Sequence, residues 1–335
     1  MSLEQTVKQI LSDSKGILAA DESLGTIGKR FAKHNIESTP ATRGQYREML
    51  FSTKGIEKYI SAVILFDETI RQNSSSGTPL CNLLTEKGII PGIKVDKGTH
   101  PLPNFEAEKI TNGLDGLEQR LLEYRQLGAK FAKWRAVFSI GASIPSNLCI
   151  QANAEVLARY AALCQQADIV PIVEPEVLMD GDHPISRCEE VTTSVLQTVF
   201  YHLYQHRVVL EGMLLKPNMI LAGKDSSTKA TASMIAQATV RTLRRSVPAA
   251  VAGIAFLSGG QSPVDATRNL AAINDTGIHP WKLTFSFSRA LQDMSLESWA
   301  GKKENIPEAQ KIFLYRAQCN SAATRGEFIE PARPR

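Results

Sequence analysis

The sequence predicts an α/β protein, a single (β/α)8 barrel with extra C-terminal helices and a flexible tail. Three observations carry that expectation. Continuous apolar runs ending in a polar residue recur eight times along the 335 residues. Helical periodicity fills several of the intervals, and no Pro/Ser linker or run of like charge divides the chain.

The runs are GILAAD (to Asp21), SAVILFD (to Asp67), PGIKVD (to Asp96), AKWRAVF (from Ala132), IVPIVEPE (to Glu176), MLLKPN (to Asn218), GIAFLSGG (to Gly260) and KLTFSFSR (to Arg289). Runs of this length, rich in Val and Ile, suit strands buried on both faces of a parallel sheet. Their spacing of roughly 30 to 45 residues matches one strand plus one crossover helix, and eight such units fill a closed barrel. Leu114, Leu117, Leu121 and Tyr124 repeat at helical spacing and stop at Gly128, a C-cap signal. Val156, Leu157, Tyr160, Leu163 and Cys164 repeat in the same way. The segment NSSSGTPL, 73–80, reads as a loop after the second strand. Beyond Arg289 the pattern is helical to about Ala323, so residues 1–323 are expected to form one barrel domain and 324–335 a mobile tail. An open doubly wound sheet is the rival architecture, but the first strand is followed by DESLGTIGKR, which lacks the GxGxxG of a dinucleotide site.

Composition narrows the function classes. The chain is 43% hydrophobic and 21% charged, ordinary for a globular protein and too apolar for a disordered one. Its net charge of +4 is dispersed, so no nucleic-acid face is expected, whereas a local cationic pocket for an anionic substrate remains open. Five widely spaced cysteines without a CxxC pair indicate neither a disulfide framework nor a zinc knuckle. The N-terminus lacks the apolar core of a signal peptide and no stretch is long enough to span a bilayer; the expectation is a cytoplasmic protein with no membrane partner.

In such a barrel the chemistry sits at the C-terminal ends of the strands. Lys216 interrupts a buried run. An ammonium there is costly unless it is paired or loses its proton, and a neutral amine is what a Schiff-base nucleophile requires. The plainer reading is a lysine that snorkels out of the strand end. Two further strand lysines, Lys94 and Lys133, favour the chemical one, because a neighbouring cation depresses an amine's pKa. Glu174 and Glu176 lie two apart on a strand and face the same way, either as an acid raised by its neighbour or as ion-pair partners of adjacent strands. Asp21 would by position alone be a helix cap. Ser258, Gly259 and Gly260 end the seventh run, and Ser286, Ser288 and Arg289 end the eighth; loops after these strands commonly cradle phosphate. His202 and His206 stand four apart on an outer helix without a third ligand, and packing explains them better than a metal.

Read together, VLEGMLLKPNM, AKFAKWRAVF, IVPIVEPEVLMDGDH, FLSGGQS and LTFSFSRALQ resemble, in the same order, the signatures of class I fructose-bisphosphate aldolases of the animal and plant type. The resemblance runs from GILAADESLGTIGKR to about GKKENIPEAQ. It implies a metal-independent enzyme in which Lys216 forms an imine with the substrate ketone. Glu174 would be the acid of carbinolamine formation and dehydration, and Asp21 the base at the C4 hydroxyl. Lys133 would position substrate and keep Lys216 deprotonated, and Glu176 is counted with these catalytic residues. Ser258, Gly259, Gly260, Ser286, Ser288 and Arg289 would hold the C1 phosphate. Ser23, Thr26, Arg30 and Lys94 would hold the other phosphate, and Arg135 is counted with the substrate-binding residues. Ser288 stands where the family usually has glycine. No tyrosine follows Tyr315, although muscle-type relatives end in one that exchanges the enamine proton. Water or another side chain is therefore expected to protonate the enamine. The resemblance also implies phosphorylated sugars as substrates and a homotetramer. The competing functions are a Schiff-base aldolase preferring fructose 1-phosphate or sedoheptulose bisphosphate, and a non-catalytic scaffold.

Overall fold

A computed structural model describes residues 2–329. Its strands are β1 (Gly16–Ala20), β2 (Ile60–Leu65), β3 (Ile90–Lys94), β4 (Thr99–Pro101), β5 (Lys109–Thr111), β6 (Phe131–Phe138), β7 (Val170–Val177), β8 (Leu214–Leu215), β9 (Gly253–Phe256) and β10 (Lys282–Phe287). Eight of these close into a parallel barrel in the order β1-β10-β9-β8-β7-β6-β3-β2, while β4 and β5 form a separate antiparallel hairpin. Each expected run supplies a barrel strand. The hairpin was not anticipated, since THP and KIT are too short to stand out from loop sequence.

Two apolar clusters explain where the polar residues go. The outward faces of the strands pack with the helices into the main core. Inside the barrel a smaller cluster includes Ile17, Ala19, Ile90, Phe131, Val170, Ile172, Leu214 and Ala255, closed from below by Val7, Ile10 and Leu11 from the N-terminal helix and the residue after it. Because side chains alternate along a strand, the next inward positions above this plug are Asp21 after Ile17 and Ala19, Lys133 after Phe131, Glu174 after Ile172, and Lys216 after Leu214. One layer of the barrel is thus apolar and the layer above it is charged. Strand register brings the charged layer together, with Lys94 paired to Lys133 and Arg135 to Glu174.

The expected helices appear as Leu117–Gln126 and Asn147–Gln166, the first ending before Gly128 at φ +104°. Leu114 lies before the first of them. Past Arg289 the helical pattern resolves into two long helices, Arg289–Trp299 and Ile306–Ala323, because Ala300 and Gly301 adopt positive φ and break the run. After Ala323, Gly326 N–H and Glu327 N–H return to the carbonyls of Ala323 and Ala322, and the Arg268 guanidinium lies 5.0 Å from the Phe328 ring. The remainder of the expected tail, 330–335, lies outside the described residues. Among the described residues no helix is long and apolar enough to cross a membrane.

Candidate active site

The mouth of the barrel encloses a cavity of about 740 Å³ lined by residues from six strands and the loops after them. At its floor lie four ionisable side chains. Lys133 Nζ sits 2.7 Å from Asp21 Oδ2 and 3.3 Å from Glu174 Oε2, and Lys216 Nζ sits 3.3 Å from Glu174 Oε1. Lys133 and Lys216 are 3% and 4% exposed. That excludes the snorkelling reading of Lys216, whose backbone continues the sheet through its N–H to Val173 O at 2.8 Å.

Asp21 is not a helix cap. The following helix, Leu24–Ala32, is capped by Ser23, whose hydroxyl accepts from Thr26 N–H at 3.4 Å. Asp21 is therefore free to face the cavity, and its protonation follows from its neighbours. Burial alone would raise its pKa, but Lys133, Lys216 and Lys94 outweigh burial and hold it at about 2. Lys133 shows the complementary balance: burial opposes its charge, while Asp21, Glu174 and Asp96 push its pKa above the ordinary lysine value. At neutral pH the centre thus holds an ionised Asp21 against a charged Lys133. Glu174 Oε2 lies within ion-pair range of Lys133 but accepts no aligned hydrogen bond, which leaves that oxygen free to handle a proton.

These shifts fix a stability prediction. A carboxyl whose pKa falls from 3.8 unfolded to about 2 folded adds on the order of 2 kcal/mol, complete above the unfolded value. The contribution is lost as pH drops through 3.8 towards 2. Lys133, raised above 10.5, reports the same attraction from the other side, so the two do not add, and its share fades only above pH 10.5. Urea titrations of the parent and Asp21→Asn are expected to differ at pH 7 and to converge as the pH approaches 2. A constant difference over that range would contradict the assignment.

Glu176 is paired to Arg135 rather than to Glu174, with Arg135 Nε 2.5 Å from Glu176 Oε2. The ion-pair reading of the two glutamates holds for both. Glu176 also shapes the loop after β9: a Cβ on Gly259 would come within 2.6 Å of its Oε1. Only glycine lets the loop backbone approach there. Gly260 has φ +70° and packs on Met179, so it too excludes a side chain. Ser258 and Ser286 are buried beside this loop, and the Ser286 hydroxyl has no partner. Arg289 opens the helix Arg289–Trp299, whose start has no side-chain cap; the N–H groups of Leu291 and Gln292 are taken by Ser288 O, and the positive end of the helix faces the cavity side that Arg289 lines. Ser288, in the position usual for glycine, has φ −104° and needs no glycine. Its hydroxyl donates to Glu22 Oε1 at 2.9 Å, away from the loop backbone.

Ser23, Thr26, Arg30 and Lys94 line the same cavity, with Arg30 and Ser288 meeting at Glu22. Lys94 Nζ is held 2.6 Å from Asp96 Oδ1, and Arg30 is bound to Glu22 and, at 2.9 Å, to Asp293. Several residues of the site were not anticipated. Glu22 is buried between Arg30, Arg47 and Ser288, and Asp96 fixes Lys94. Lys29 and Lys33 stand exposed on the cavity rim. Their spacing from Thr26, three and seven residues along one helix, was the available signal. His202 and His206 bond to Gln151 and Glu155 far from the cavity, and no metal-binding cluster occurs among the described residues.

Comparison with known proteins gives the same direction throughout. The family model for class I fructose-bisphosphate aldolase matches residues 2–334. Fructose-bisphosphate aldolase 5, cytosolic, of Arabidopsis thaliana is 54% identical over 97% of this chain and 91% of its own length. Fructose-bisphosphate aldolase 2 of Plasmodium berghei is 53% identical over 97% and 89%. Aldolase C-A of Danio rerio is 50% identical over 97% and 90%. Among solved structures, the fructose-bisphosphate aldolase of Plasmodium falciparum, crystallised with TRAP and a small-molecule inhibitor, superposes with a TM-score of 0.97 at 51% identity. That match covers 98% of this chain and 95% of the other.

Proposed function

Since the chain belongs to the class I fructose-bisphosphate aldolases, a family that works through a lysine Schiff base without metal, we propose that Lys216 is the imine-forming lysine. The reaction is the reversible cleavage of fructose 1,6-bisphosphate to dihydroxyacetone phosphate and glyceraldehyde 3-phosphate, a step of glycolysis. One observation carries the residue assignment: Lys216 and Lys133 flank a single carboxylate, Glu174, on the buried floor of the cavity, with ionised Asp21 beside them.

The Lys216 amine adds to the C2 carbonyl, and Glu174, in contact with Nζ, supplies the proton that lets the carbinolamine lose water. Asp21 then takes the proton from the C4 hydroxyl. The C3–C4 pair flows into the protonated imine, giving an enamine and releasing the aldehyde. Protonation at C3 and hydrolysis of the imine return Lys216 and release dihydroxyacetone phosphate. The Ser258–Gly260 loop, Ser286, Ser288 and Arg289 hold the C1 phosphate, and Ser23, Thr26, Arg30 and Lys94 hold the other. Arg135 and Glu176 support the wall between them. The enzyme works in the cytoplasm, the name of the Arabidopsis relative calling that protein cytosolic, and it assembles as a homotetramer, as the family resemblance implies.

The two-phosphate reading separates this enzyme from one adapted to fructose 1-phosphate. Lys94→Ala is expected to lower kcat/KM on the bisphosphate by about tenfold and to leave fructose 1-phosphate nearly untouched, because a charged phosphate contact is worth on the order of one to two kcal/mol. Equal losses on the two substrates would place Lys94 outside the second phosphate site.

A further inference from the structure

Behind the two phosphate loops lies a cation that the reaction leaves unexplained. Arg316, in the middle of the helix Ile306–Ala323, is 0% exposed. Among the described residues no carboxylate stands within ion-pair distance of it, although a buried guanidinium ordinarily demands one. Its partners are neutral. Nη2 donates to Pro263 O at 2.7 Å and to the Thr267 hydroxyl at 2.6 Å, and Nε donates to Ala290 O at 3.4 Å. Among the described residues Nη1 has no hydrogen-bond partner. Burial pushes its pKa below the usual arginine value, as expected for a cation that gains no compensating anion.

The position of the two carbonyls gives this arrangement a purpose. Pro263 begins the helix Pro263–Asn274, five residues after Ser258, and Ala290 is the second residue of the helix that Arg289 opens. These are the helices whose starts carry the two halves of the C1 phosphate cradle. A single planar fork therefore ties both helix starts to the C-terminal helix and places an unbalanced positive charge behind them, where no water screens it. A hydrophobic residue would fill the same space without the cost of burying the charge.

Resting on the assignment of the C1 phosphate site above, we propose that Arg316 is a positioning residue for that phosphate: it fixes the spacing of the Ser258–Gly260 loop against Arg289 and adds its charge to the anion's field. The effect is confined to one end of the substrate, which a general loss of stability would not be.

The test uses the condensation direction, where the two phosphates arrive on separate molecules. In Arg316→Met, KM for dihydroxyacetone phosphate and the inhibition constant of inorganic phosphate against it are expected to rise about tenfold. KM for glyceraldehyde 3-phosphate and kcat should stay within about twofold. Arg316→Lys keeps the charge but not the fork, and should show a smaller rise with the same one-ended pattern; it also serves if the methionine variant fails to fold. Equal rises at both ends, or a lowered melting temperature with unchanged KM values, overturn the proposal. Arg289→Ala separates the two layers of the argument. If that variant keeps its affinity for dihydroxyacetone phosphate, the phosphate site itself is misplaced. If it loses affinity and both Arg316 variants do not, only the role of Arg316 fails.

Discussion

Lys216→Met is expected to lower kcat on fructose 1,6-bisphosphate by about 10⁴-fold or more, with melting temperature and cavity shape little changed. The loss is large because the covalent step has no substitute. Without an imine the C3 carbanion would have to be borne by a ketone in a buried site, and the pair of electrons has nowhere comparable to go. The fold should survive because Lys216 makes one polar side-chain contact, to Glu174 Oε1 at 3.3 Å. Methionine has nearly the same length and no charge to bury. Circular dichroism, a thermal melt and a steady-state assay check the three parts together. Turnover within about tenfold of the parent would remove Lys216 from the chemistry.

The second large effect belongs to Lys133. It is the cation between Asp21 and Glu174, so Lys133→Met leaves two buried carboxylates with Lys216, paired with Glu174, and the more distant Lys94 to balance them. Removing one partner of a buried charge cluster costs about 3 to 5 kcal/mol, and part of that cost is avoided if Asp21 takes up a proton. Protonated Asp21 cannot accept the C4 hydroxyl proton. The variant should therefore lose stability and, in addition, lose kcat by on the order of 10²- to 10⁴-fold, the range of general base catalysis. The pH-rate profile distinguishes the causes. The acidic limb should move to higher pH in Lys133→Met, because the strongest of the three lysines that hold Asp21 at about 2 is gone. An acidic limb at the parent position would show that Lys133 does not govern Asp21.

Much of this site is legible in the sequence for one geometric reason. Residues of a strand alternate, so a charged residue two positions beyond a buried apolar one must lie on the same face. Asp21, Lys133, Glu174 and Lys216 all follow apolar residues of the barrel plug in that way; the lysines and Glu174 stand out in the sequence as charges within buried runs, whereas Asp21 reads by position as a helix cap and is singled out only by the family resemblance. The limits follow the same logic. β8 has only Leu214 and Leu215 in regular pairing, so its alternation is too short to read unaided. Glu22, Arg47 and Arg316 lie in loop or helix, where buried charge leaves no period-two signature. Arg47 and Arg316 stand among apolar helix positions and look like solvated residues until their surroundings are seen. The break at Ala300 did carry a signal, Gly301 just past the helix end and Pro307 at the start of the next helix, but the helical pattern on either side runs on and masks it.

Trapping the covalent intermediate tests the central claim most directly. The enzyme is reduced with borohydride in the presence of dihydroxyacetone phosphate, digested, and mapped by mass spectrometry. A stable adduct on the peptide containing Lys216, and its absence from Lys216→Met, is the predicted result. An adduct carried by Lys133 or Lys94, or full activity with no adduct, would contradict the assignment of Lys216 as the nucleophile.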